Sequence, residues 1–176
     1  SQRDLTLDTD LIVNDPQYID GASRIMGLDL TDVSHAILQT RNLNNCSALR
    51  TRDVSCAQTQ TTLNALLVNG CKNLRTLNMT GLKSASFTGI DLSNNTKLET
   101  LKAGKTTLTG VNFAQGAPLT SVTLPASLQT LELRYLSKLT TGRLTLEGTS
   151  NITRLVVANC PGIDWQGLKA RCANET

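Results

Sequence analysis

Residues 74–82 read LRTLNMTGL, with apolar side chains at Leu74, Leu77, Met79 and Leu82 and polar or small ones between. Alternation across Leu77 and Met79 is the pattern of a short strand with one buried side. The same template, apolar-x-x-apolar-x-apolar-x-x-(apolar, Cys or Thr), recurs in both directions from this point. It starts again at Ile25 (IMGLDLTDV), Leu98 (LETLKAGKT), Leu128 (LQTLELRYL) and Ile152 (ITRLVVANC). A weaker copy starts at Leu49 (LRTRDVSCA), where Arg52 stands in an apolar place, and another at Gln2 (QRDLTLDTD), where Leu5 and Leu7 fit. Starts at 2, 25, 49, 74, 98, 128 and 152 lie 23, 24, 25, 24, 30 and 24 residues apart. One match to a short leucine pattern arises easily by chance, but a regular ladder of them marks a repeat architecture.

A second pattern lies between the starts. Thr88-Gly89-Ile90-Asp91-Leu92 precedes Leu98, Thr141-Gly142 with Leu144 and Leu146 precedes Ile152, and Thr109-Gly110-Val111-Asn112-Phe113 resembles both. Each coil therefore carries two short alternating segments, one on each side, with Gly and Thr at the corners where tight turns need them. Two stretches, LNALLVNGC from Leu63 and LTSVTLPASL from Leu119, are extra template copies that leave the phase ambiguous nearby; the phase of about 24 residues also accounts for the outer copies.

Composition agrees with a stack of thin coils. The chain has 176 residues, 39% of them hydrophobic but only 3% aromatic, as expected where Leu, Ile and Val fill a core one side chain deep. The expected fold is a repeat solenoid: a right-handed stack of six or seven coils with few or no regular helices. Parallel strands are expected at 28–30, 77–79, 101–103, 131–133 and 155–157, all in one sheet. Residues 1–24 read as an N-terminal cap or degenerate coil, 25–160 as repeats, and 161–176 as a C-terminal cap. That cap has one apolar side with a helical flavour, with Pro161 at its entry and Trp165 expected to seal the core.

At these residues the sequence resembles the leucine-rich-repeat family, whose core is Leu-x-x-Leu-x-Leu-x-x-Asn/Cys-x-Leu. Cys71 (VNGCKNL) and Cys160 (VANCPGI) match the Asn/Cys position, whereas Val33, Leu82 and Thr106 depart from it. LTSVTLPASL resembles the bacterial BspA-like branch. That resemblance implies a non-enzymatic recognition or adhesion module, secreted or at a bacterial cell surface, with a protein or glycan as partner and no cofactor. A structural spacer or phage virion component is the alternative.

In a solenoid the outward strand positions are where partners bind. Here they hold Arg50 and Asp53, Arg75 and Asn78, Glu99 and Lys102, Glu132 and Arg134, and Arg154. Thr51, Thr76, Thr100 and Thr130 occupy one recurring place and are expected to stack in a column; β-branched residues also suit an exposed strand with no ligand at all. Catalysis has little to stand on. His35 is the only histidine, and beside Asp32 and Ser34 it reads as a corner residue, since sequence neighbours are no evidence of a triad. The acidic run of Asp8, Asp10, Asn14 and Asp15 lacks the spacing of a calcium loop and reads as a solvated cap. Five Asn-x-Ser/Thr tripeptides, at Asn45, Asn78, Asn94, Asn151 and Asn174, are unremarkable in so Asn- and Thr-rich a chain.

A net charge of +3, without a Lys/Arg run or a basic–aromatic motif, argues against nucleic acid as a partner. No stretch approaches the ~18 apolar residues of a membrane span, and Ser1–Asp10 lacks the basic start and apolar run of a signal peptide. Of the five cysteines, Cys46, Cys71 and Cys160 fall at ladder positions and read as buried free thiols; Cys172 has a route back to Cys160 if the cap folds over the last coil.

Overall fold

A computed structural model describes residues 73–172 continuously and, before them, residues 4–6, 27–29, 40–42, 51–53 and 65–68. The architecture is a β-solenoid: stacked coils of about 22 residues with parallel sheets, about four full turns, and one C-terminal helix. One side is a seven-stranded parallel sheet formed by β1 (Asp4–Thr6), β2 (Gly27–Asp29), β4 (Thr51–Asp53), β6 (Thr76–Asn78), β8 (Thr100–Lys102), β10 (Ser121–Leu124) and β12 (Leu144–Leu146), in that order. The strands between them make three parallel pairs on the second side. These are β3 (Thr40–Asn42) with β5 (Ala65–Leu67), β7 (Gly89–Leu92) with β9 (Gly110–Phe113), and β11 (Thr130–Arg134) with β13 (Arg154–Ala158). The amides of Gln129 and Thr130 both donate to the Thr109 carbonyl, at 2.8 and 3.1 Å, and so continue the second side from β9 to β11.

Inward positions alternate with outward ones along β6, β7, β8, β10, β11 and β12. Leu77, Leu101, Val122 and Leu144 stand in register on the first side, and Ile90 and Leu131 occupy the corresponding row on the second; all are buried. Corner leucines such as Leu74, Leu98, Leu119 and Leu128 close the layer. Where the chain turns, side chains stitch one coil to the one before. The Thr107 hydroxyl donates to the carbonyls of Ser84 (2.7 Å) and Phe87 (2.8 Å), and the Ser127 hydroxyl to those of Leu108 (2.6 Å) and Thr106 (3.2 Å). The buried Asn95 amide donates to the Val68 carbonyl at 3.0 Å. These bonds occupy backbone carbonyls that a buried turn would otherwise leave unpaired. Asn94 and Asn159, also at corners, are exposed. Gly162 is required by close approach, since a Cβ there would come 2.5 Å from the Leu139 carbonyl, whereas at Gly104 it would meet only the movable Glu147 carboxylate, which accepts the Lys105 amide at 2.7 Å.

The structure corrects the phase of the repeat. Segments 77–79 and 101–103 overlap the seven-stranded sheet, but 131–133 and 155–157 lie on the second side. The strand that continues the first sheet after β8 is β10, carried by the stretch LTSVTLPASL, and Thr100 pairs with Ser121 only 21 residues on. The apparent 30-residue coil thus results from crossing between sides. Both strands of a coil satisfy the same template, as Phe87, Ile90 and Leu92 do on one side and Leu98, Leu101 and Ala103 on the other. A short apolar spacing therefore cannot say which side a segment occupies.

The end of the stack also differs from expectation. The helix α1 (Trp165–Arg171) starts four residues after Pro161, with the Asp164 carboxylate as its cap, accepting from the Gly167 amide at 3.0 Å. Ile163 and Leu168 are the buried residues here, whereas Trp165, at the first helical position, is 50% exposed. Leu155 is likewise only partly buried, because β13 is an outer strand of its pair with no further coil beside it among the described residues. Cys160 is a buried free thiol, its Sγ donating to the Ala158 carbonyl at 3.4 Å, so no bridge to Cys172 forms. Cys46, Cys56, Cys71, His35 and the acidic run at 8–15 lie outside the described residues.

This burial sets a graded expectation for denaturant midpoints. Leu131→Ala, in the middle of the stack, is expected to cost about 2–5 kcal/mol, and Leu155→Ala clearly less. Arg75→Glu is expected to stay within about 1 kcal/mol of the parent, since Arg75 only forms an exposed 3.8 Å ion pair with Glu99. Equal costs for the two leucines in urea unfolding would contradict the assigned end of the stack.

Candidate functional site

The outward positions nominated from sequence divide between the two sides. On the first, Asp53, Asn78, Lys102, Thr123 and Thr145 stand in one register row, and Thr51, Thr76, Thr100 and Ser121 in the next. The hydroxyl column thus exists, but Ser121 completes it; Thr130 is on the second side, paired with Arg154. Arg75 and Glu99 flank the row at the corner before the strands. Arg50 lies outside the described residues. The Asn78 side-chain oxygen is taken up locally, accepting the Thr80 amide at 3.2 Å and hydroxyl at 2.8 Å. Among the described residues this face presents a mixed-charge surface, with a hollow of about 300 Å³ between Arg75, Lys97, Glu99 and Lys138 at its corner.

The second side carries Glu132, Arg134 and Arg154, and there the surface is hollowed. Gly89 pairs with Gly110 and Asp91 with Asn112. The bonds from Gln129 and Thr130 to the Thr109 carbonyl repeat those from Thr109 and Gly110 to the Thr88 carbonyl, which sets Gly110 beside Thr130 and Asn112 beside Glu132. Two outward rows result. One runs Gly89, Gly110, Thr130, Arg154, and the other Asp91, Asn112, Glu132.

Along the first row lies a hollow of about 470 Å³ bounded by Thr88, Thr109, Asn112, Thr130 and Glu132. A second, of about 390 Å³, adjoins it through Val111, Asn112 and Glu132 and extends to Phe113 and Arg134. Together they form one trough. A Cβ added to Gly89 or Gly110 would meet nothing within 4 Å, and neither glycine is left-handed. Conformation and packing therefore do not demand glycine at these places, and its effect is to leave backbone bare on the trough floor, where another molecule can approach it closely.

The rim is polar and held in place. One Asp91 oxygen accepts the Ser93 amide at 3.0 Å and the Asn112 amide at 3.1 Å, and Arg154 Nε donates to Glu132 at 2.9 Å. Hydrogen bonds from Ser93, hydroxyl first and backbone second, hold the Asp91 carboxyl below its usual range, with Asn112 adding to the effect. The hydrogen bond from Arg154 does the same for Glu132. Both carboxylates are charged at neutral pH, so the rim offers fixed acceptors beside the guanidinium groups of Arg134 and Arg154.

No family model, no curated protein and no solved structure matches the chain. Among the described residues there is no cluster of His, Cys, Asp or Glu able to hold a metal ion, and no helix long and apolar enough to cross a membrane.

Of the residues nominated from sequence, Glu132 and Arg134 line this trough and Arg154 bonds to Glu132 beside it, all on the second side rather than in the seven-stranded sheet. Sequence reasoning passed over Gly89, Gly110, Asp91 and Asn112. The signal for them was present in the stretches TGIDL and TGVNF, 21 residues apart, which read as alternating segments with their glycines at corners, although Gly89 and Gly110 lie within β7 and β9.

The rim makes a titration test. Because the folded-state pKa of Asp91 is lowered, its contribution to stability is full above the unfolded value and is lost as pH falls through the folded one, below the ordinary aspartate value of 3.8. Carboxyl-detected NMR titration is expected to place Asp91 below that value, with Ser93→Ala raising its midpoint and Arg154→Gln raising that of Glu132 instead. A rise of the Asp91 midpoint in Arg154→Gln, with none in Ser93→Ala, would show that the rim is held differently.

Proposed function

We propose that this chain is a non-enzymatic recognition module of the leucine-rich-repeat type, which binds a protein or glycan through the exposed face of its parallel strands. The observation that carries this reading is the trough on the second side, with its bare backbone at Gly89 and Gly110 and its ordered rim of Asp91, Asn112, Glu132 and Arg154. A rigid stack fixes these groups one strand spacing apart, roughly 4.8 Å, so a ligand meets donors and acceptors that need little reordering. Preorganisation of this kind favours binding by reducing its entropic cost. With the resemblance to BspA-like repeats, the reading extends to adhesion by a secreted or surface-attached bacterial protein.

Filling the trough without disturbing the coil tests it. Gly110→Thr places a β-branched side chain where nothing stands within 4 Å, and strand propensity favours the change. The variant is expected to melt at or above the parent temperature. Its affinity for ligands selected by the parent protein on glycan and peptide arrays is expected to fall at least tenfold, about 1.4 kcal/mol. Lys102→Glu, on the opposite side, is expected to leave affinity unchanged. If Gly110→Thr binds as the parent does and Lys102→Glu does not, the first side is the binding face. If the parent selects nothing from either array, the spacer or virion reading takes its place.

A further inference from the structure

Two large hydrophobic side chains among the described residues are exposed, Tyr135 at 53% and Trp165 at 50%, and both lie in the last two coils. Tyr135 occupies a corner that recurs in the last two coils. Arg134 pairs with Ala158, and the Tyr135 amide donates to the Ala158 carbonyl at 2.9 Å, so Tyr135 stands beside Asn159, each directly before the turn that closes its coil. Both are left-handed, with φ of 57° at Tyr135 and 55° at Asn159. Glycine and asparagine suit that conformation, and a bulky aromatic does not. Burial does not compensate for the poor fit either, since half of the tyrosine is in solvent. An unfavourable backbone kept for an exposed ring points to use of the ring itself.

On the next coil, Trp165 borders an open hollow of about 460 Å³ with Val157, Asn159, Cys160 and Pro161. In a chain with 17 basic and 14 acidic residues, this lining contains no charged side chain. A matching ligand is neutral, with an apolar face to lie on the indole ring and hydroxyls at its edge for the Asn159 amide, which both donates and accepts; Tyr135 borders this hollow through its neighbour Asn159. A pyranose ring has these properties. A peptide anchor is a poorer match, because such anchors are enclosed in dry pockets, and here both rings are open to water.

We propose that the corner formed by Tyr135, Asn159 and Trp165 is a carbohydrate subsite that takes a pyranose ring of a neutral glycan. It deepens the recognition reading above by naming a ligand class, at a place separate from the Gly89–Gly110 trough. Trp165 is the only tryptophan in the chain, so its emission reports on this corner alone.

The test is a fluorescence titration of the full chain with cellotetraose, laminaritetraose and α-1,4-linked maltotetraose, with calorimetry in parallel. At least one of these sugars is expected to give a saturable change in Trp165 emission. Tyr135→Gly is expected to retain or raise the melting temperature, because it relieves the left-handed backbone, while weakening sugar binding roughly tenfold. Asn159→Gly is expected to weaken it similarly, and Trp165→Ala to abolish the calorimetric signal while circular dichroism stays unchanged. The emission change is expected to persist in Gly110→Thr, so a failed trough leaves this subsite standing, and the converse. Absence of a saturable change with all three sugars overturns the proposal. So does an emission change that follows protein concentration rather than sugar, which would make the corner a contact between two copies of the chain.

Discussion

Each coil of this protein is one side chain deep from either side, and no coil can bury its own leucines. Stability therefore depends on parallel, in-register pairing between successive coils, which brings every inward leucine against its counterparts above and below. The register rows Leu77, Leu101, Val122, Leu144 are the direct expression of that constraint. So is the near absence of aromatic residues, since a large ring has no room in so thin a layer. Phe87, the largest fully buried side chain among the described residues, sits at a corner between Ser84 and β7.

The same constraint shapes what lies outside the core. Once strands are locked in register, outward side chains form rows at a fixed spacing, and any group recurring in the repeat becomes a column. Pairing alone thereby creates the hydroxyl column of Thr76, Thr100 and Ser121 and the bare row of Gly89 and Gly110. Corners follow suit. A left-handed corner needed in one coil is needed in the next, which is why Tyr135 and Asn159 share one conformation although only the asparagine suits it. The departures from the repeat, rather than the repeat itself, are where a particular role can be written.

Stacking is also why the ends look different from the middle. A strand inside the array has neighbours on both edges, while β12 and β13 have one each among the described residues. Helix α1 supplies part of the missing cover through Leu168, aided by the Thr149 hydroxyl donating to the Arg171 carbonyl and the Asp164 amide donating to the Thr141 hydroxyl at 2.7 Å. Cover of this kind is local. It leaves Leu155 and Val157 partly buried and Trp165 half in water.

From the sequence by itself came the solenoid, its parallel strands, its two segments per coil and the helical end, because these depend on the spacing of apolar residues and on turn chemistry, which are local properties. Leu77 and Leu131 could be named as core residues for the same reason, and both are. Which side each segment joins was beyond its reach. Strands on the two sides bury the same kinds of residue at the same intervals, and only the path of the chain between them separates Leu131 from Leu101. The trough inherits that ambiguity, since Asp91, Asn112 and Glu132 become neighbours only when three separate coils are set in register. The exposure of Trp165 was equally out of reach, because a tryptophan next to buried residues at the end of a chain seals a core or overhangs it according to where the last coil stops, and the tertiary structure alone decides that.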